Sequence, residues 1–214
     1  MVKPPDQDDG PDDGTEQKIF DAADRVFARR GTDGARMQEI AEEAGVNKAL
    51  LHYYYRTKDQ LAEAVFKRIV AKFLPTVVQV MSSDLGLEEK VERIVHTYLD
   101  QLSRRPYIPG YVISEITHHP DRLPKLFEAV AATQVRKRVL TTLKRQIEER
   151  VAAGTLAPIT PEQFFVNLVS LCIFPFAARP MLLVVFGLDA KGFERFIDQR
   201  RKELPKFIMR AMRP

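Results

Sequence analysis

The stretch from Met37 to Arg56 reads MQEIAEEAGVNKALLHYYYR, and its spacing decides the fold. Ile40 and Ala44 supply the inner face of one short helix. Ala41 is small where a second helix crosses closely. Gly45 stands where the turn requires a positive φ, which glycine adopts without strain. Val46 fills the angle between the helices, and Asn47 is a good N-cap for the second one. Leu51 and Tyr54, spaced i and i+3, close the inner face of that second helix. Several constraints hold at once. Together they predict a helix-turn-helix, the arrangement in which a second helix enters the DNA major groove.

The charge pattern separates a DNA reader from a three-helix unit that only packs on a larger domain. Gly45 to Lys58 holds three basic residues and no acid, whereas the preceding helix carries Glu39, Glu42 and Glu43. A generic solvated helix mixes signs. The three tyrosines sweep about 200° of helix surface, so they cannot share one face. Tyr54 and Tyr55 lie within one turn of Leu51 and form the core-side pair. His52 and Tyr53 share the other side with Lys48, Ala49 and Arg56. Tyr53 can give its hydroxyl to a phosphate. Tyr54, at the edge, could do both jobs. His52 stays open between an exposed bystander and a base or phosphate contact. The helix opened by Asn47 aims N–H groups at an anion. Thr57 caps the next helix, and Lys58 in its first turn opposes the helix dipole, a conflict that a phosphate would remove.

Beyond this segment the 214-residue chain reads as helical almost throughout, without sustained alternation or internal repeats. Its net charge is +4 and its pI about 9.2, a mild hint of an acidic partner. Residues 1–14 hold five aspartates, three prolines and one lysine, which predicts a disordered acidic arm. Without that arm the chain carries 32 Lys+Arg against 24 Asp+Glu. A first helix capped by Thr15 is expected to end at Gly31. The helix-turn-helix unit is expected over 15–60 and a larger helical domain over 61–214. In the latter, helices are expected from Thr57 to about Met81 with a kink at Pro75, over Leu87–Ser103, over Tyr111–His118, from about Leu123 to Ala153, over Pro161–Ala178, after Ala178-Arg179-Pro180 to Gly187, and over Lys191–Met212.

The single cysteine, Cys172, excludes an internal disulfide and a Cys/His zinc cluster. The start lacks a secretory signal pattern, and Gln163–Ala178, although uncharged, is short for a membrane span, so a cytoplasmic protein is expected. His118-His119-Pro120-Asp121 suggests a metal, but no further ligand lies nearby in sequence. No metal or cofactor is expected. Nucleophile elbow, HExxH and phosphate-cradling motifs are missing, so the chain does not read as an enzyme.

From Ile19 to Leu61 the sequence resembles the TetR family of bacterial one-component transcriptional regulators. The likeness rests on Ile40-Ala41, Ala44-Gly45-Val46, the aromatic cluster Tyr53-Tyr54-Tyr55 and Lys58-Asp59-Gln60-Leu61. The resemblance implies a homodimer formed by the last two major helices, a small-molecule effector between the middle helices, and release of DNA on binding it. The function expected is a repressor on a palindromic operator. Departures fall where bases are chosen. Arg36 replaces the usual Ser or Thr opening the second helix, and Asn47 replaces a serine but keeps the cap. Ala49 and Leu50 stand for Gly and Thr, and His52 for a tyrosine. Arg36, Asn47, Lys48, Ala49, Leu50, His52, Tyr53, Tyr54 and Lys58 are therefore the candidate DNA contacts.

The run from Pro161 to Gly187 is too apolar for a solvated helix, and the resemblance favours a dimer interface there. Phe193, Phe196, Ile197, Leu204 and Ile208 of the last helix would complete it. Candidate effector contacts are Glu115 and Tyr111 on a short helix, Asn167 in the apolar run, and Phe66, Phe73, Tyr98 and Phe127 as walls. Two rivals remain. One is a helical enzyme or hydrophobic-ligand carrier whose N-terminal unit is structural, the other a nucleoid-type DNA binder without a sensor.

Overall fold

The computed structural model describes residues 13–118, 120 and 133–214. Those residues form ten helices and no strand, the all-α class that the periodicities predict. They are α1 (Asp13–Gly34), α2 (Met37–Ala44), α3 (Lys48–Tyr54), α4 (Lys58–Ser82), α5 (Leu87–Arg104), α6 (Ile108–His118), α7 (Thr133–Ala152), α8 (Pro161–Ala177), α9 (Arg179–Phe186) and α10 (Ala190–Ala211). Contacts divide the chain into two units that meet between Phe66 and Lys67, inside α4.

Two boundaries depart from expectation. α1 begins at Asp13, so Thr15 lies within its first turn and is not its cap. Glu16 in the first turn favours a helix N-terminus electrostatically. The rest of the expected acidic arm, residues 1–12, lies outside the described residues. α6 opens at Ile108, not Tyr111, because Pro109 fits a first turn, where its missing N–H costs nothing. Pro75 sits inside α4, where the kink is expected. The expected start of α7 near Leu123 also lies outside the described residues.

In the first unit, Gly31 leaves helical geometry at φ 69°, ψ 170° and breaks α1 where a stop is expected. Ile19, Ala23, Val26 and Phe27 of α1 are buried, as are Ile40 and Ala41 of α2 and Leu51 of α3. Leu61, Val65 and Phe66 of early α4 are buried as well. Each valine, leucine, isoleucine and phenylalanine among them contributes about 1.5–3 kcal/mol on leaving water.

In the second unit, α5 turns Val91, Ile94, Val95, Tyr98, Leu99 and Leu102 inward. It packs on α8 and α10, whose Phe164, Leu168, Cys172, Phe193, Ile197 and Leu204 fill the same core. Asp189 caps α10 by accepting from the Gly192 N–H at 2.6 Å.

Two polar devices hold this core. Lys90 is fully buried, and its ammonium donates to the Met81 carbonyl at 2.9 Å and to Gln146 Oε1 at 2.7 Å. The Gln146 amide donates in turn to the Leu85 carbonyl at 2.8 Å, so the α4–α5 turn is tied to α7. Burial lowers the Lys90 pKa to about 8. The second device begins with Pro175 of α8. Its ring nitrogen has no hydrogen for the Leu171 carbonyl one turn earlier. Arg200 of α10 supplies the missing donors, with Nη2 at 2.8 Å and Nε at 3.2 Å from that oxygen.

Both devices can be tested by unfolding. The Lys90 pKa is depressed on folding, so the unfolded chain binds more protons between about pH 8 and the ordinary 10.5. The unfolding free energy of the protein should therefore rise relative to Lys90→Met across that window, and a flat difference would contradict the buried ammonium. Arg200→Met should cost about 1.5–3 kcal/mol, and clearly less in a Pro175→Ala background, where residue 175 regains its own N–H. Equal losses in both backgrounds would refute the pairing of Arg200 with the proline gap.

Candidate nucleic-acid interface

The turn between α2 and α3 is built by backbone hydrogen bonds. Gly45 adopts φ 69°, ψ 27°, which permits its N–H to reach the Glu42 carbonyl at 3.2 Å and the Val46 N–H to reach Ala41 at 3.0 Å. Asn47 then caps α3, its Oδ1 accepting from the Leu50 N–H at 2.7 Å. Thr57 caps α4 in the same way, at 3.2 Å from the Gln60 N–H. Arg36 precedes α2 in extended backbone and makes no side-chain cap, as its residue type implies.

The tyrosines divide. Leu51 is fully buried, and Tyr53 is 69% exposed. Tyr55 ends α3 in extended backbone, with its ring edge-on to Phe20 at 5.8 Å and its hydroxyl donating to Glu16 at 2.7 Å. Tyr54 stacks on Tyr55 at 6.5 Å, and its buried hydroxyl meets no hydrogen-bond partner among the described residues. Of Tyr54's two possible jobs, this geometry favours the core.

Charge is sorted as sharply. Arg25 and Arg29 of α1 both hydrogen-bond Glu43, at 2.8 and 2.7 Å, and hold its carboxyl below the usual range. Arg30 lies 3.5 Å from Glu39. Two of the three acids of α2 are thus paired with α1, and Glu42 accepts from Gln38 on its own helix. Arg36, Lys48 and Arg56 are exposed, and their side chains form no ion pair among the described residues. Ala49 is exposed and Leu50 half-buried beside them. Sequence reading missed these α1–α2 pairs, although Arg25 and Arg29 stand four apart on one helix face, a spacing that signals a shared target.

Two candidate contacts carry internal partners. Lys58 donates to the Asp33 carbonyl at 2.8 Å, so its conflict with the α4 dipole is partly met within the chain. Its ammonium keeps two further donors. His52 places Nδ1 3.2 Å from the Arg56 carbonyl. A carbonyl only accepts, so that contact places a proton on Nδ1 and leaves Nε2 free of it.

The effector candidates are less gathered. Phe73 and Tyr98 meet edge-on at 4.8 Å, and burial pushes the Tyr98 hydroxyl far above its usual pKa. Tyr111 is buried on α6. Phe66 belongs to the first unit. Asn167 is exposed and lines, with Ser170 and Phe207, a cavity of about 380 Å³ whose walls include no other effector candidate. The Glu115 side chain and Phe127 lie outside the described residues. Among the described residues no group of three metal-ligating side chains forms, and no single helix is long and apolar enough to cross a membrane.

Comparison with known proteins bears on the whole chain. Residues 19–65 match the bacterial regulatory proteins of the tetR family, and residues 88–204 match the tetracyclin repressor-like C-terminal domain. The HTH-type transcriptional repressor SCO4008 of Streptomyces coelicolor is 32% identical over 57% of this chain, a segment spanning 64% of its own length. The HTH-type transcriptional regulator RutR of Escherichia coli K12 is 25% identical over 92% of this chain and 89% of itself. A regulator from Saccharomonospora viridis, solved in complex with choline, shares the fold with a TM-score of 0.67 at 20% identity, over 94% of this chain and 98% of that one. These relatives are named as regulators, a non-enzymatic role. With matches over both its reading unit and more than half its length, the chain belongs to the TetR family of bacterial transcriptional regulators.

Proposed function

We propose that this protein is a ligand-responsive repressor that grips a two-fold symmetric operator as a homodimer through α3. The observation that carries the reading is the face of α3 and its flanks. Lys48, Arg56 and Arg36 are exposed without ion partners among the described residues, Tyr53 stands out in water, and of the three acids on α2, Glu39 and Glu43 are paired to α1. Such a surface neutralises phosphates, and its exposed Ala49 and half-buried Leu50 leave room for a thymine methyl.

Dimerisation is assigned to α8 and α10. Val166 and Phe174 on α8 and Phe207 on α10 are more than half exposed, which suits burial against a second copy. A small-molecule effector is assigned to the second unit, with Phe73, Tyr98 and Tyr111 as the candidate walls that lie in it. Action on DNA places the protein in the bacterial cytoplasm.

Fluorescence anisotropy with the DNA upstream of its own gene tests the interface. Lys48→Ala should weaken binding and reduce the salt slope by about one. Tyr53→Ala should weaken binding without lowering thermal stability, since that ring is mostly in water. Tyr55→Phe should do the reverse, costing about 1–2 kcal/mol of stability while leaving the salt slope unchanged. A folded, dimeric Lys48→Ala/Tyr53→Ala double variant that binds like the unsubstituted protein would sink the assignment.

A further inference from the structure

The second unit holds a pair of arginines that DNA reading does not use. Arg179 opens α9, and Arg201 lies on α10. Both line one open cavity of about 350 Å³, a size typical of small-ligand sites. The Nε atoms of both are buried, and neither has a hydrogen-bond partner among the described residues. The two guanidiniums differ in how far they are neutralised. Arg201 gives Nη2 to Asp100 at 2.7 Å and Nη1 to Asp198 at 3.1 Å. Arg179 makes no ion pair among the described residues. Its Cζ lies 5.0 Å from the centroid of the Phe193 ring, a cation–π contact that leaves its hydrogens unspent.

The walls restrict the ligand. Phe176 and Phe193 meet at 81° with centroids 5.9 Å apart, and Pro106 and Ile197 add apolar surface. Glu194 and Asp198 line the same cavity and disfavour a multiply charged anion. The geometry points to a second ligand site in this unit, one that takes a monocarboxylate with a small aromatic body. The carboxylate is received by Arg179, Arg201 forms the wall beside it while held by Asp100 and Asp198, and the ring lies among Phe176, Phe193 and Pro106. A planar guanidinium suits a carboxylate better than a point-charge ammonium does. The site is separate from the candidate effector walls around Tyr98, and it goes beyond the operator-reading assignment.

The test uses the free full-length protein, so its result is distinguishable from any failure of DNA binding. Benzoate is the probe, with benzamide and inorganic phosphate as controls, read by the arginine Nε–Hε resonances in NMR. Those of Arg179 and Arg201 are assigned through Arg179→Lys and Arg201→Lys. Benzoate should shift both resonances saturably, and benzamide and phosphate should not. Arg179→Lys should weaken benzoate about tenfold, in line with loss of a charge-assisted bond. Glu194→Gln, which removes only a repelling charge, should tighten it, and this arm stands even if the Arg179 variant does not fold. Absence of a saturable benzoate shift, equal response to benzamide or phosphate, or no tightening in Glu194→Gln would each overturn the site.

Discussion

The backbone of Gly45 is the constraint on which the first unit depends. At φ 69° it lets two successive N–H groups return to the end of α2, and the chain leaves at the angle that seats Leu51 in the core. A side chain at that φ is strained whatever space surrounds it, and here the space is open. The restriction is therefore conformational and not steric packing. Once the turn is fixed, Asn47 begins α3, Leu51 sets its rotation, and Lys48 and Tyr53 must face away. Function at this site follows from one dihedral angle and one buried leucine.

Electrostatics then decides what that outward face can bind. A basic helix beside an acidic one would largely cancel its own field. Here Arg25, Arg29 and Arg30 take up Glu39 and Glu43, and the basic side chains around α3 are left to act on a partner. These α1–α2 pairs are exposed and add little to stability. Their consequence is the sign of the neighbouring surface.

Much of this was legible in the sequence because it rests on local rules. Glycine at a left-handed turn, asparagine and threonine at caps, and Leu51 with its i+3 and i+4 neighbours all announce themselves within a few residues. The inward face of α5 was equally plain from its 3.6-residue period. What could not be read depends on residues far apart in the chain. Lys58 meets Asp33 across 25 positions, Tyr55 meets Glu16 across 39, and Arg200 reaches Leu171 across 29. Proline at 175 hinted that a carbonyl would be left over, but nothing local named its partner. The effector candidates were the least legible, since an aromatic at helical spacing looks the same whether it fills a core or walls a cavity. Phe66 lies in the first unit and Asn167 on an exposed face, places that helical spacing alone does not distinguish.

The most direct measurement is a hydroxyl-radical footprint on the DNA upstream of the gene. Two α3 helices reading a two-fold site predict two protected segments on each strand, with half-site centres about one turn apart, ~34–36 Å, or modestly more. The protection should be related by a dyad and vanish with Lys48→Ala/Tyr53→Ala. Even protection along the duplex, or one unpaired segment that survives those substitutions, would contradict α3 as the element that reads the operator.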